Sequence, residues 1–341
     1  SRTRCAVLGA GGFIGTNLCR ALVGRVDSLR AFGRRQSFPE ALRGCDWMPG
    51  DFADPTCMAA AVAGCDVVFH LVNATTPASA NVDKVADLNA NVASTLHLLD
   101  ACRETGVKRV VFVSSGGTIY GIPEQVPTPE TSPTNPITAY GISKLAIEKY
   151  LGLYEYLYGL EYRVLRVANP FGPYQTALKN QGVIAAFVRR ALAGKPIEIW
   201  GDGSVTRDYV YIDDVVEALM LAATHDGSGR IFNIGSGEGR SLNDIVASIS
   251  KLLEVEIPVD HRPSRPVDVP VSILDTTFAS RDLDWRPRTV FEEGLEPVLN
   301  YPIAVKSKPH GKPQTLPIRC QRRRMGVRRT VPDPVPPGRR A

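Results

Sequence analysis

Seven residues near the start of the chain, Gly9-Ala10-Gly11-Gly12-Phe13-Ile14-Gly15, constrain its fold more than any other segment. Before them stands Cys5-Ala6-Val7-Leu8, an apolar run of the length a buried strand takes. After them, apolar residues recur at helical spacing through 13–23. A glycine triplet alone is weak evidence, but strand, glycine turn and helix in this order is the setting a dinucleotide-binding loop requires. Gly9 permits the tight turn, and Gly12 lets backbone approach a pyrophosphate. Gly15 lets the helix opened by Phe13 and Ile14 pack on the strand, so that phosphates meet the helix N-terminus.

The alternation continues. Strands are expected at 4–8, 29–32, 45–48, 67–71, 109–114 and 162–166, and helices at 13–23, 55–63, 82–104 and 139–158. This pattern predicts an α/β fold with a doubly wound, Rossmann-type parallel sheet, residues 1–168 forming mainly the dinucleotide-binding domain. Beyond Asn169 the pattern loosens, with helices expected at 182–193, 214–223, 242–253 and 290–298 and strands at 197–200, 208–212 and 231–234. Some of these return to the sheet. The rest of 169–301 forms a smaller lobe over the C-terminal strand ends, where doubly wound proteins bind ligands and where Leu71 and Ser114 stand.

Charge separates a third segment. Residues 302–341 carry eleven Lys/Arg and one Asp, a net of +10, and the remainder nets −5. The basic balance therefore belongs to a Pro- and Arg-rich tail without apolar periodicity, read as disordered. The rest gives no electrostatic footprint for nucleic acid. No apolar run approaches the ~20 residues of a membrane helix, and nothing resembles a signal peptide. Seven cysteines without a Cys-x-x-Cys pair suit reduced thiols in a cytoplasmic protein. The five histidines form no metal pattern, and His70, ending a strand, reads as a satisfied core residue. Trp47, Trp200 and Trp285 are expected to pack or to line the lobe.

Tyr140-Gly141-Ile142-Ser143-Lys144 is the second informative segment. Tyr140 and Lys144 are four residues apart in an expected helix, so they share one face. A free phenol has a pKa of about 10, so a tyrosine base near neutral pH needs a depression of roughly 3 units from neighbouring charge. A lysine ammonium and an oxidised nicotinamide ring both supply such charge.

With these motifs in order, the chain resembles the extended short-chain dehydrogenase/reductases, and within them the NAD-dependent epimerase/dehydratase family, UDP-glucose 4-epimerase-like members above all. The resemblance spans about 3–299. It rests on the glycine loop, Gly50-Asp51-Phe52, Ser114-Ser115-Gly116-Gly117-Thr118-Ile119-Tyr120-Gly121, the Tyr140/Lys144 pair, Asn169-Pro170-Phe171-Gly172-Pro173, Arg207-Asp208-Tyr209-Val210 and Ser264-Arg265-Pro266-Val267-Asp268. It implies that Asp51 and Phe52 contact adenine, that Asn91 is a structural asparagine near the site, and that Lys144 lowers the phenol pKa and holds the nicotinamide ribose. It implies further that Tyr140 takes the C4 hydroxyl proton of a nucleotide sugar, giving a transient 4-keto intermediate while the cofactor stays bound. Asn169, Arg207 and Arg265 coincide with pyrophosphate and ribose contacts and Asp268 with a uridine-ribose contact, and guanidinium forks suit a diphosphate. A homodimer through helices 82–104 and 139–158 is also implied.

Two departures matter. Relatives that bind NAD usually carry Asp where this chain has Gly33, followed by Arg34 and Arg35. NAD is expected from the resemblance, with NADP, whose 2′-phosphate suits Arg34, as the alternative. Related epimerases also place a Ser or Thr where this chain has Gly116, so Ser115 and Thr118 are the expected replacements. Gly117 and Thr118 stand where dehydratases carry an Asp-Glu pair, which argues against dehydration. Alternatives are an NADPH-dependent reductase of a nucleotide sugar or other small carbonyl compound, and a non-catalytic dinucleotide-binding protein. The Tyr140/Lys144 pair argues against the latter.

Overall fold

A computed structural model describes residues 3–175, 182–264 and 269–301. Its central feature is a seven-stranded sheet. The strands are β1 (Arg4–Leu8), β2 (Ser28–Gly33), β3 (Asp46–Pro49), β4 (Val67–His70), β5 (Arg109–Ser115), β6 (Glu161–Val167) and, after five intervening strands and helices, β10 (Ile231–Ile234). Their spatial order is β10-β6-β5-β4-β1-β2-β3, and every pairing is parallel. Both faces are buried, as an all-parallel sheet requires. In β1 the alternation is explicit: Cys5 and Val7 join one apolar cluster, Ala6 and Leu8 another.

Helices cover these faces: α1 (Phe13–Leu22), α2 (Pro55–Val62), α5 (Ser94–Thr105), α6 (Ala139–Tyr158) and α8 (Ile212–Thr224). The helix expected over 82–104 is instead divided. Helix α3 (Pro77–Val82) ends at Asp83, α4 (Lys84–Leu88) follows, and a π-helical turn, Asn89–Ala93, leads into α5. Asp83 causes the break: its backbone is extended and its carboxylate accepts from Ala86 N at 2.9 Å, capping α4.

Short strands build the remaining layers. β7 (Asn169–Phe171), β9 (Thr206–Tyr211), β11 (Gly239–Ser241) and β13 (Val271–Ser272) form a four-stranded sheet, and β8 (Ile197–Trp200) pairs in parallel with β12 (Val259–Arg262). Helices α7 (Val183–Leu192), α9 (Leu242–Leu253), α10 (Thr277–Asp282) and α11 (Phe291–Asn300) complete the fold. All of these elements belong to one compact unit, Ser1–Ile303. The basic tail, with Cys320, lies outside the described residues.

Trp285 is fully buried and donates Nε1–H to Asp214 O at 2.8 Å. His70 is buried as well, its Nε2 2.8 Å from Thr95 Oγ1. The six described cysteines are free of disulfides. Among the described residues no helix is long and apolar enough to cross a membrane.

Candidate functional site

The C-terminal ends of β1, β2, β4, β5 and β6 open into one cleft of about 1110 Å³. Fourteen residues singled out from sequence line it: Gly9, Gly12, Phe13, Ile14, Gly15, Arg34, Asp51, Phe52, Leu71, Ser114, Ser115, Tyr140, Asn169 and Arg207. Trp47 and Trp200 line it too.

At one end the glycine loop forms a cradle that side chains would fill. Gly9 has φ +85°, and a Cβ there would lie 3.1 Å from the Leu71 carbonyl. A Cβ on Gly15 would lie 2.2 Å from Gly9 O and 2.7 Å from Ala10 Cα, so only glycine lets α1 meet the turn after β1 this closely. The N-terminus of α1, capped by Gly12 without a side chain, borders the cleft through Gly12, Phe13 and Ile14, where a pyrophosphate would meet the helix end. These residues fit a dinucleotide. Further along, a Cβ on Gly33 would lie 2.5 Å from Trp47, whose Nε1–H donates to Arg35 O at 3.1 Å. The indole thus occupies the space a carboxylate side chain at 33 would need. Asp51 folds back locally, accepting from Ala53 N at 2.9 Å.

Tyr140 and Lys144 project from the first turns of α6, which Thr138 caps by accepting from Gly141 N at 3.1 Å. The Tyr140 phenol oxygen accepts from Asn73 Nδ2 at 3.1 Å. Lys144 is buried behind it, in a small neighbouring cavity, donating to Val113 O at 2.9 Å with its Nζ 5.7 Å from the Tyr140 ring centroid. Burial pulls the Lys144 ammonium down to about 7, against the opposing pull of Glu148 and Asp87. Burial also pushes the Tyr140 phenol up to about 12, although the Asn73 hydrogen bond acts downward. In the protein by itself, desolvation outweighs the Asn73 hydrogen bond and the phenol sits above its free value. His70, beneath, is lowered by burial to about 3 and stays neutral.

Gly116 has no room for the hydroxyl side chain its position implies, since a Cβ would lie 2.4 Å from Leu274 Cδ1 and 3.0 Å from Arg166 O. Of the two expected replacements, Ser115 lines the cleft. Thr118 stands back from the lining, its buried Oγ1 without a hydrogen-bond partner. Asn91 is also held back: its side chain accepts from Ala74 N at 3.0 Å and donates to Thr75 Oγ1 at 2.9 Å and Asp87 Oδ1 at 3.1 Å. It fixes the loop after β4. Sequence reasoning missed Asn73 and Asp87 in this network. Asn73-Ala74-Thr75-Thr76, a polar run at a strand's C-terminal end, was the available signal.

In the four-stranded sheet, Asn169 donates to Asp208 O at 2.9 Å, and Arg207 donates to Thr206 O at 2.9 Å and Val269 O at 2.6 Å. Asp208 is a structural hub, accepting from the amides of Ser236, Gly237 and Leu274. Arg265 and Asp268 lie outside the described residues. Among the described residues no group of three or more His, Cys, Asp or Glu is placed to hold a metal ion.

Residues 5–235 match the model of the NAD dependent epimerase/dehydratase family. The chain belongs to that family. It is 34% identical over 314 residues to a UDP-glucose 4-epimerase of Mycolicibacterium smegmatis, covering 87% of this chain and 98% of the relative. Among solved structures it is similar to the UDP-glucose 4-epimerase of Thermotoga maritima with UDP-glucose, at TM-score 0.83 and 36% identity, with 87% of this chain and 98% of that one covered. The UDP-glucose 4-epimerase of Thermus thermophilus in complex with NAD gives TM-score 0.81 and 32% identity, covering 87% and 98%. The chain is thus an enzyme of this family, UDP-glucose 4-epimerase-like within it.

Proposed function

We propose that the chain is a nucleotide-sugar 4-epimerase, acting on a UDP-hexose or UDP-N-acetylhexosamine through a transient 4-keto sugar with NAD retained. The observation that carries this reading is a single cleft lined at once by Gly12, Tyr140, Asn169 and Arg207. Gly9, Gly12 and Gly15 cradle the dinucleotide, with Asp51 and Phe52 at its adenine. Bound NAD supplies a reversible hydride acceptor, so that net redox change is zero. Tyr140 takes the C4 hydroxyl proton and returns it after the sugar has turned over. Lys144, fixed on Val113 O, holds the nicotinamide ribose. Ser115, on the cleft wall, takes the hydroxyl role that Gly116 leaves open, since Thr118 stands back from the lining. Asn169, Arg207, Arg265 and Asp268 bind the nucleoside diphosphate.

The test is incubation with UDP-glucose and UDP-N-acetylglucosamine, no nicotinamide added, following the sugar anomeric signals by NMR. Appearance of a 4-epimer supports the reading, and silence with both sugars refutes it for these substrates.

One observation favours a second reading, an NADPH-dependent reductase: Trp47 closes the carboxylate position at Gly33 while Arg34 and Arg35 line the same cleft. Conversion only on adding NADPH would favour it. The chain is further proposed to act as a homodimer in the cytoplasm. Exposed apolar side chains support the pairing, Val85 and Leu88 on α4 and Leu153, Tyr156 and Leu157 on α6. Light scattering at twice the monomer mass checks it.

A further inference from the structure

We propose that Asn73 is a positioning residue for Tyr140, its amide donating to the phenol oxygen so that the oxygen's remaining proton-accepting side faces substrate and its ionised form is favoured. This rests on the epimerase reading of Tyr140 as a proton acceptor. The Nδ2 to phenol oxygen distance is 3.1 Å, and Asn73 borders both the large cleft and the small cavity that holds Lys144. A phenol oxygen that already accepts from an amide directs its O–H elsewhere, and a donor to the charged form of an acid strengthens that acid.

The loop that carries Asn73 is tied down, two residues further on, by a buried carboxylate. Asp87 is 1% exposed and accepts from Thr75 Oγ1, from Asn91 Nδ2 at 3.1 Å and from Ser143 Oγ at 2.5 Å. Asn91 in turn accepts from Ala74 N. Ala74 and Thr75 follow Asn73 in the loop after β4, and Ser143 lies three residues along α6 from Tyr140. The network therefore clamps the donor's loop to the acceptor's helix.

Asp87 from α4 acts on the phenol by its charge, and Lys144 from α6 lies with its Nζ 5.7 Å from the ring centroid; Glu148 from α6 and His70 from β4 interact with Lys144 in turn. Asp87 opposes ionisation of the phenol by its charge, and His70 stays neutral. Asn73 is the hydrogen-bond donor to the phenol among the described residues.

The test is a pH titration of phenolate absorbance, Tyr140 being isolated by subtracting the matching Tyr140→Phe protein, with NAD present, for wild type, Asn73→Leu and Asn73→Asp. Leu removes the donor, and Asp replaces it with an acceptor and a negative charge. The expected result is a rise in the Tyr140 midpoint of about one unit with Leu, roughly tenfold less phenolate at a given pH, and a larger rise with Asp. NAD binding checks that the site is intact, and Asn73→Ser, too short to reach, takes the place of Leu if Leu disturbs the loop. An unchanged midpoint in the donor-less variant, or a fall with Asp, overturns the proposal. The titration needs no sugar. If the midpoint shifts but wild type converts no sugar, the epimerase reading falls and the positioning stands; if wild type converts sugar and the midpoint does not shift, the positioning falls and the epimerase reading stands.

Discussion

Gly116→Ser restores the hydroxyl that related epimerases carry, and the structure predicts that it harms this chain. The new Cβ would sit 2.4 Å from Leu274 Cδ1 and 3.0 Å from Arg166 O. Carbon atoms in contact rest about 3.5–4.0 Å apart, so the overlap with leucine exceeds 1 Å by roughly this measure. Leu274 is 2% exposed and packed with Ile119 and Tyr120, and Arg166 O belongs to a sheet strand, so neither side yields easily. Overpacking of this kind costs about 1–3 kcal/mol. Leu274→Ala alone should cost about 2–5 kcal/mol through its cavity. Combined, the serine partly fills that cavity, so the double variant should lose less than the sum of the two by about 0.5–3 kcal/mol, a range typical of contacting residues. Urea unfolding of the four proteins measures the cycle. A Gly116→Ser protein as stable as wild type, with additive effects, would refute the packing argument.

Other outcomes follow from the same geometry. Glu148→Ala should destabilise by about 3–5 kcal/mol, because Arg166, 2.7 Å from Glu148 Oε2 and buried with it, is left uncompensated; urea unfolding checks this. Gly15→Ala should abolish NAD binding in equilibrium dialysis and cost about 1–3 kcal/mol, since its Cβ meets only backbone, and full binding would contradict it. His70 stays neutral down to about 3 in the fold but takes up a proton near 6.5 when unfolded. Unfolding therefore binds protons between those values, and stability falls as pH drops through them. His70→Gln should flatten that slope by at most about 1.4 kcal/mol per pH unit, read from unfolding midpoints between about pH 6.5 and 4.5.

Much of this molecule was legible in the sequence where local rules act alone. The glycine loop, the first five strands and Tyr140/Lys144 on one helix face follow from apolar periodicity and glycine chemistry. Helix α4 did not, because the apolar pattern runs through Asp83 while its carboxylate stops one helix and starts the next. Strands β7, β11 and β13, of three, three and two residues, are too short to carry a period. The Asn73–Tyr140 contact joins residues 67 apart, and the fit of Trp47 against Gly33 joins two neighbouring strands. Such contacts are set by sheet order, not by spacing along the chain. The height of the Tyr140 pKa was hidden for the same reason: it is set by burial among residues distant in sequence, which outweighs the Asn73 hydrogen bond.

The proposed function turns on a retained NAD that takes and returns one hydride at C4 of a nucleotide sugar while Tyr140 moves the hydroxyl proton. UDP-glucose deuterated at C4, incubated with the enzyme and no added cofactor, tests it most directly. The expected product is a 4-epimer with its deuterium wholly retained at C4, and none is expected from the Tyr140→Phe enzyme. Deuterium lost to solvent, or turnover that depends on added NADPH, would contradict it.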